Sequence, residues 1–474
     1  MNRKFHFFME KKDPVITYAI EFVFMILGIP IQISEKAKPD IVTKVYYGNN
    51  CPDPEKFQLI FRQNPNELVW KELLNDSLKL DSVGKIVEFD VFASIAALLC
   101  DEVHSSKDIG YFDEHARLLF HKSFQFENGF EKIPLINVYI SILKELFLKK
   151  FKLSGVPLWP NGKKWAVALS HDVDNPEKYP AKFFPFLSKG KALKENLKFT
   201  YRKLYDSFFS VLDNKRNEYW QFEDITTVEK SYGFNSAFYF SSASRRDVYA
   251  SNFDVEYSIF KNPAYLKLFC FLQENNFEIG LHASYNAYKE RERIFEEKEK
   301  LESLTGGKIQ GNRHHLWHLG NDETNTFEIH EAAGFKYDTS ISFNENIAFR
   351  RNLALPFQVW SKKLNRALKL WEFPVFCMDA HLVDYFPSPS SAVEKAIEYI
   401  ENIRKFEGLG VIDWHVRTSF PGNDRFLNWG QTYVSLLKKL SQYKDAWITS
   451  PASIYEWLTK RTQNLYSETS GFEN

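Results

Sequence analysis

The sequence predicts an α/β protein, with a β/α barrel in its C-terminal part and a smaller α/β module before it. From residue 165 onward, apolar strand-like segments alternate with helical segments, as in parallel β-α units. The strand-like segments are almost continuously apolar, which indicates burial on both faces. At least seven such units in roughly 300 residues fit a barrel better than a small open sheet. The predicted boundaries are 1–155 for the N-terminal module and 165–462 for the barrel.

The N-terminal module combines helical and strand-like segments. Gly28 is the expected stop of the first helix, ITYAIEFVFMILG. Two strands, IPIQIS and IVTKVYYG, follow it, and two further helices lie in FDVFASIAALLCDEVH and VYISILKELFLKKF. Asp101, Glu102 and His104 lie close together, and we interpret them as a solvated helix end. The segment SGVPLWPNGKK, residues 154–164, has two prolines and two glycines and predicts a loop between the modules.

The barrel strands are expected, in chain order, in WAVALSHDVD, NSAFYFSS, FEIGLH, KIQGNRHH, LWEFPVF, GVIDWH and AWITS. The helices between them are expected in AYLKLFCFLQEN, AYKERERIFEEKEKLESL, ETNTFEIHEAA, SAVEKAIEYIENIRKF and QTYVSLLKKLSQY. A basic, aromatic stretch, residues 176–222, interrupts this alternation. It is interpreted as a helical insertion beside the mouth of the barrel, with contact to a nucleic acid or another anionic polymer as the alternative.

Composition excludes several classes of protein. The chain has 474 residues with 61 basic and 61 acidic side chains, so it is not a generally polycationic nucleic-acid binder. Apolar residues are 44% and charged residues 26%, which is ordinary for a folded protein. Aromatic residues reach 16%, which indicates either an aromatic-rich core or surfaces on which sugars stack.

The cysteines and the apolar segments bear on location. Four widely spaced cysteines, Cys51, Cys100, Cys270 and Cys377, argue against a disulfide framework or a zinc knuckle and favour a reducing compartment. The apolar stretch from Val15 to Ile33 is interrupted by Glu21 and Pro30, so no membrane span is expected. No export signal is recognisable at the N-terminus, and we therefore expect a cytoplasmic protein. The sequence does not indicate an oligomeric state.

Polar side chains collect where predicted barrel strands end. In a β/α barrel these ends all point to one face, where active sites lie. Four different strands deliver carboxylates, imidazoles and a guanidinium to that face. The residues are Asp172 and Asp174, then His282, then Arg313 with His314 and His315, and finally Asp413 and His415.

The first two strand ends suggest a metal site. Asp172 and Asp174 are two residues apart and lie on one side of a regular strand. Carboxylates so close resist joint ionisation unless a cation is near, so one can bind a metal while the other accepts a proton. His282 adds an imidazole ligand, and Ser284 or Asn286 offers a further oxygen.

The other two strand ends suggest supporting roles. Arg313 is suited to pair with a carboxylate and orient it. His314, His315 and His318 are dense, but Gly311 and Gly320 flank them and argue against a helical metal motif. His415 can give a proton to a leaving group, and Asp413 is expected to orient its ring.

In order and spacing, these segments resemble the polysaccharide deacetylase superfamily, the NodB-homology carbohydrate esterases of family four. ALSHDVDNP is similar to the first motif of that family, and EIGLHASYN to its H-S/T-x-x-H motif. GNRHHLWH stands where R-x-P-Y belongs, GFKYDTSISF resembles the Y-D-x-S segment, and VIDWHVRTSF resembles the motif with the catalytic histidine. The resemblance covers residues 165–460 and implies nothing about residues 1–155.

The resemblance implies a distorted (β/α)7 barrel that removes acetyl groups from N-acetylated carbohydrates, a hydrolase acting on C–N bonds. It implies Asp172 as general base, His415 as general acid and Arg313 as the residue that orients Asp172. It also implies a divalent metal, with zinc the first candidate, held by Asp174, His282 and the residue at position 286.

The chain departs from the family at that last ligand, because Asn286 stands where the family has a second histidine and an amide oxygen is a poorer zinc ligand. Water, Ser284, Asn286 or a neighbouring histidine are the candidates for the missing ligand. Two alternative functions remain: a catalytically degenerate barrel that binds a glycan or a protein partner, and a hydrolase of small cyclic amides.

Overall fold

The structure is a computed structural model that describes residues 5–35, 44–64, 84–104, 108–177, 217–243, 251–255, 257 and 259–467. Its first sheet has five parallel strands in the order β2-β1-β3-β4-β5. They are β1 Phe5–Met9, β2 Ile31–Ser34, β3 Lys44–Tyr47, β4 Leu59–Phe61 and β5 Ile86–Val87. The helices of this region are α1 Pro14–Leu27, α2 Val91–Leu99, α3 Phe124–Glu127 and α4 Leu135–Phe151.

The first helix shows why its local sequence folds as it does. The Asp13 carboxylate accepts hydrogen bonds from the first free backbone N–H groups of α1, and Pro14 supplies a preset φ. The helix ends at Gly28, which has a left-handed φ of 68°, as the sequence predicts. A Cβ at this position would lie 2.1 Å from the carbonyl oxygen of Val156, so only glycine fits.

The end of α1 also meets the last of the described helices, Pro451–Ser467. Arg461 donates to the carbonyl oxygens of Met25 at 2.7 Å and Ile26 at 3.2 Å, which belong to the last turn of α1. The same guanidinium donates to Val156 and Pro157 in the predicted linker, both at 2.9 Å. Ile26 lies in the last turn of α1, where carbonyl groups lack partners within the helix.

The second sheet curls into a barrel-like form. Its order is β11-β12-β10-β9-β8-β7-β6-β14-β13, with β15 paired to the first half of β6, and only β11 and β12 pair antiparallel among its strands. β12 is next to one edge strand of this order and β13 is the other edge strand, yet only Phe373 and Pro374 separate them in the chain, so the sheet brings its two edges together. The strands are β6 Trp165–Val173, β7 Ala237–Phe240, β8 Glu278–Ala283, β9 Gly311–His314, β10 Tyr337–Asp338, β11 Phe357–Ser361, β12 Arg366–Glu372, β13 Val375–Met378, β14 Leu409–Asp413 and β15 Ala446–Thr449.

Helices follow most of these strands, and five of the eight described here, α6, α7, α8, α10 and α11, lie where the apolar periodicity predicts them. They are α5 Phe222–Ser231, α6 Ala264–Glu274, α7 Arg291–Thr305, α8 Glu323–Ala332, α9 Asp379–Val383, α10 Pro389–Lys405, α11 Leu427–Leu440 and α12 Pro451–Ser467. None of the described helices is both long and apolar enough to cross a membrane. Most of the predicted insertion at 176–222 lies outside the described residues, because these omit 178–216.

One expected strand is wrong, and several strands were not expected, among them β1, β4, β5, β10 and β11. The segment LWEFPVF is not one strand, because Pro374 has no N–H to donate and the chain changes from β12 to β13 there. The strand β1 was not predicted at all. Its sequence FHFFM is buried along its whole length, so it lacks the alternation that marks a half-exposed strand.

Asp101 is not part of a solvated helix end, contrary to the expectation. Its carboxylate accepts two hydrogen bonds from Arg350, at 2.9 and 2.7 Å, and lies 2.8 Å from the ring nitrogen Nδ1 of His104. Arg350 is 2% exposed, and Glu323 is its second carboxylate partner. This buried ion cluster joins the N-terminal module to the barrel.

Removing one member of that cluster should be costly. We expect Asp101→Asn to lower the free energy of unfolding by about 3 kcal/mol, because a buried guanidinium then loses a charged partner. Urea denaturation measures the change. Lys132→Ala is the matched control, since the Lys132–Glu398 pair also joins the two regions but is exposed, and it should cost less than about 1 kcal/mol. Equal effects in the two variants would contradict the prediction.

Glu278, at the other end of the barrel from the strand ends discussed above, makes stability depend on pH. Its carboxylate accepts from the backbone N–H of Ala452 at 2.8 Å, and burial raises its pKa to about 8. Between the ordinary pKa and 8, the folded state therefore holds a proton that the unfolded chain releases. The free energy of unfolding must fall as pH rises through this range.

We expect Glu278→Gln to remove this fall in the free energy of unfolding at higher pH. The stability of the variant relative to wild type should increase by on the order of 3–4 kcal/mol between pH 5 and pH 8. Urea denaturation at both pH values gives the difference, and Glu274→Gln, an exposed glutamate of α6, is the control. The expectation would be contradicted if the difference in free energy of unfolding between Glu278→Gln and wild type were the same at both pH values.

Candidate active site

The ends of β6, β8, β9 and β14 bring the predicted residues to one face of the curled sheet. Asp172 and Asp174 come from β6 and the residue after it, and both lie near the imidazole of His282 on β8. The ring nitrogen Nε2 of His282 is 3.6 Å from Asp172 and 3.3 Å from Asp174. His415 approaches from beyond β14, with its Nε2 3.2 Å from Asp174. Residues far apart along the chain therefore meet around Asp174.

Three of these side chains could hold a metal ion. Asp174, His282 and His315 each offer a ligand atom, and the three atoms lie within 4.8 Å of one another. The rings of His282 and His315 stand at 74° with their centroids 5.1 Å apart. One carboxylate and two imidazoles suit zinc and related divalent cations, and a catalytic site with three protein ligands keeps a position for water or substrate.

Hydrogen bonding sets which nitrogen of His282 faces the carboxylates. Its Nδ1 is 3.0 Å from the carbonyl oxygen of Arg313, so Nδ1 carries the hydrogen and Nε2 points to Asp172 and Asp174. Burial lowers the pKa of His282, but the two carboxylates outweigh it and raise the pKa to about 9. Burial dominates at His315 and lowers its pKa to about 4, so that imidazole is neutral at pH 7. A neutral imidazole is the form that binds a metal.

Asp172 is held by a buried arginine. One guanidinium nitrogen of Arg313 donates to Asp172 at 2.9 Å and to Asp413 at 2.6 Å, and the other donates to Ser170 at 2.8 Å. The guanidinium also lies over the ring of Tyr239, 4.6 Å from its centroid. Burial acts to raise the pKa of Asp172, but the charges of Arg313 and of nearby imidazoles prevail and lower it. Asp172 is therefore an oriented, ionised carboxylate.

The expectation that Asp413 orients His415 is wrong. Asp413 binds Arg313 instead, and Asp379 takes the expected role, with a carboxylate oxygen 3.0 Å from Nδ1 of His415. The strand β14 ends at Asp413, and a short 3-10 turn follows His415, so the alternation of side chains stops before this residue. Burial lowers the pKa of His415, while Asp379 and Asp174 raise it well above its usual range. His415 is thus a protonated imidazole that can act as an acid.

Asp379 itself was missed in the sequence. It directly follows β13, so it obeys the same strand-end rule as the residues that were found. LWEFPVF was predicted to be one strand that ends at Phe376, so Asp379 was not recognised as a strand-end residue. Thr418 also donates to Asp379 at 2.7 Å, which fixes the carboxylate for His415.

Of the candidates for the missing ligand, Ser284 is already committed elsewhere. Its hydroxyl is hydrogen-bonded to Glu297 of α7 and accepts from Arg293 at 2.8 Å. Asn286 is half-buried in the turn after β8, and its role as a ligand stays a prediction. His315 is the neighbouring histidine whose nitrogen lies within reach of Asp174, at 4.0 Å.

The backbone that carries His315 is strained. Leu316 and Trp317, directly after it, have left-handed φ values of 57° and 52°. Such conformations cost a residue with a side chain on the order of 1–3 kcal/mol and persist only where the surroundings enforce them. As expected from the flanking glycines, no α-helix forms here, only the short 3-10 turn His315–Trp317.

Comparisons with known proteins find one family and several solved structures. Residues 5–152 match DUF7033, a family of unknown function, and no curated protein matches the sequence. A protein from Mycobacterium smegmatis assigned as a polysaccharide deacetylase is 16% identical, with a TM-score of 0.43 over 64% of this chain and 93% of that chain. Puue allantoinase is 14% identical, with a TM-score of 0.41 over 64% and 93%.

A CE4 family pseudoenzyme from Bacillus anthracis is 10% identical, with a TM-score of 0.31 over 64% of this chain and 70% of that chain. The similar structures therefore include an allantoinase and a pseudoenzyme besides a protein assigned as a deacetylase. At these TM-scores, activity has to be judged from the side chains themselves.

Proposed function

We propose that the chain is a metal-dependent hydrolase that removes an acetyl group from an N-acetylated saccharide or saccharide precursor. The observation that carries the proposal is the position of Asp174. Its carboxylate lies 3.3 Å from His282 and 3.2 Å from His415, so a candidate metal ligand and a protonated imidazole share one carboxylate. Asp172 stands beside them as an ionised carboxylate on Arg313. Hydrolysis of an amide needs these three functions within one site.

Asp174, His282 and His315 are the proposed metal ligands, with zinc as the first candidate. A bound divalent cation supplies Lewis acidity, which polarises an amide carbonyl and lowers the pKa of water. Asn286 remains a proposed further oxygen ligand from the turn after β8.

Asp172 is the proposed general base and takes the proton of the attacking water. Arg313 keeps this carboxylate ionised and oriented throughout, since its guanidinium is fully buried and held by four further groups. His415, protonated and braced by Asp379, is the proposed general acid. It gives its proton to the amine as the C–N bond breaks, so the products are acetate and a free amino sugar.

The domain assignment belongs to the same proposal. Residues 165–462 would form a deacetylase-like (β/α)7 barrel, supported by the curled parallel sheet with helices between its strands. Residues 1–155 would form a separate α/β module, supported by their own five-stranded sheet and by the DUF7033 match at 5–152.

The proposal is tested on the purified full chain. Elemental analysis should find about one divalent metal per chain, and acetate should be released from at least one member of a panel of N-acetylated sugars. A metal-free protein that binds such sugars without releasing acetate would support the glycan-binding alternative instead. Turnover of cyclic amides without acetate as a product would support the other alternative.

A further inference from the structure

We propose that the N-terminal module is a positioning element of the metal site, because Arg117 holds the strained turn that carries His315. This inference rests on the proposed function, since it concerns the third ligand of that site. Arg117 lies in the module that matches a family of unknown function. The inference gives this module a part in the chemistry of the barrel.

The turn after His315 needs support from outside itself. Leu316 and Trp317 are two successive residues with side chains in the left-handed region. The carbonyl oxygen of Leu316 accepts a hydrogen bond from a guanidinium nitrogen of Arg117 at 3.1 Å. The two residues are 199 positions apart in the chain, so this is a contact between the module and the barrel. The bond fixes the peptide plane one residue beyond His315.

Arg117 is itself held rigidly. Its Nε donates to the Asp113 carboxylate at 2.8 Å, and the other oxygen of that carboxylate accepts from the backbone N–H groups of His115 and Arg117 at 2.9 Å. Phe112 and Leu118 pair as an isolated antiparallel bridge around this tight turn. The side chain of Arg117 is only 10% exposed. A preorganised guanidinium can impose a conformation on the backbone that it binds.

The same turn of the module also contacts the segment after His282, the other proposed histidine ligand. The ring nitrogen Nδ1 of His115 is 2.9 Å from the hydroxyl of Tyr285, three residues beyond His282. Tyr285 stacks on His318 with centroids 3.9 Å apart, and its carbonyl oxygen is 3.0 Å from Nδ1 of His318. The module therefore touches both barrel turns that follow proposed ligands, and these turns also contact each other.

The consequence is a dependence of metal affinity on a residue outside the barrel. Without Arg117, Leu316 and Trp317 are free to relax from the left-handed region, and the ring of His315 moves with them. A metal requires its ligand atoms within a few tenths of an ångström of fixed positions. We therefore expect weaker binding and altered coordination, rather than loss of the fold.

The experiment is titration of the metal-free full chain with Co²⁺, followed by the visible d–d absorption, with Zn²⁺ calorimetry in parallel. Arg117→Ala should weaken binding of both ions by about tenfold and change the cobalt spectrum. Lys132→Ala is the matched control, because it removes another contact between module and barrel, the pair with Glu398 at 2.8 Å, that does not reach the turn. It should bind both ions like wild type.

A second variant separates positioning from general loosening. Glycine adopts the left-handed region without strain, so Leu316→Gly should make the turn less dependent on its support. Arg117→Ala should then weaken Co²⁺ binding by clearly less than tenfold in the Leu316→Gly background. If Arg117→Ala does not fold, Arg117→Gln, which keeps the aliphatic part of the side chain, takes its place in the same cycle.

The outcomes distinguish the two proposals. Wild-type protein that binds neither Co²⁺ nor Zn²⁺ would overturn the metal site and the role of Arg117 with it. Wild-type protein that binds both ions, with Arg117→Ala equal to it, would overturn the positioning role alone. The competing explanation is that Arg117→Ala acts by general loosening, and an equal loss of Co²⁺ affinity in the wild-type and Leu316→Gly backgrounds would show this. Such a result would overturn the positioning role, because Arg117 would then not act through the turn.

Discussion

Replacing Asp172 with asparagine should lower acetate release by about 10³-fold at pH 7 while leaving the fold intact. The amide keeps the shape of the side chain and can still contact Arg313, but it cannot accept a proton from water. Burial acts to raise the pKa of this carboxylate, but the charge of Arg313 outweighs burial and lowers the pKa. The ionised form is therefore the one present at pH 7. Single-turnover kinetics on the best acetylated sugar of the panel measures the loss.

Metal binding provides the control for this variant. Asp174, His282 and His315 are unchanged in Asp172→Asn, so the content of bound metal should remain close to that of wild type. The thermal midpoint should fall, because the buried Arg313 loses one of its two charged partners, but circular dichroism should still show the wild-type fold. Loss of zinc together with activity would place Asp172 among the ligands instead. Turnover at the wild-type rate would remove the assignment of Asp172 as general base.

The second large effect is expected at His315. Its substitution by alanine removes one of three candidate ligands and should lower zinc affinity by at least about 100-fold, more than losses at groups that only support a ligand. Acetate release should fall in parallel and recover partly when zinc is added in excess. Competition with a chromogenic chelator measures the affinity.

Asn286→Ala is the matched comparison, because Asn286 stands where the polysaccharide deacetylase family, which the sequence resembles, has its second histidine. We expect this variant to lose less than about tenfold in zinc affinity, since an amide oxygen is a weak ligand for zinc beside two imidazoles. If Asn286→Ala loses more than His315→Ala, the third ligand comes from the turn after β8 and not from the end of β9.

The sequence alone predicted which strand ends would meet, because the rule for parallel strands is geometric. Asp172, Asp174, His282 and His415 do lie together in the structure, although their catalytic roles stay predictions. The rule failed at Asp379 because a proline divided one apolar run into two strands. It also failed for the expected pairing of Asp413 with His415, because β14 ends at Asp413 and the alternation of side chains stops before His415.

Contacts between distant segments were beyond the reach of local patterns. Asp101 looked like a surface residue because nothing in its neighbourhood shows that Arg350, 249 positions later, would bury it. A neighbouring histidine was among the candidates for the missing ligand, but local patterns did not single out His315. His315 lies 4.0 Å from Asp174, directly before a left-handed turn at leucine and tryptophan, residues for which no sequence rule predicts such a conformation.

The bonds from Arg461 to the end of α1 bear on the order in which the protein acquires its structure during synthesis. Some 435 positions separate Arg461 from Ile26, so the ribosome has made almost all of the barrel before this arginine emerges. Many proteins complete an N-terminal unit first and add the rest to it. Here the first helix remains without its final partners until the last helix arrives, so both halves should gain protection from proteolysis late and together.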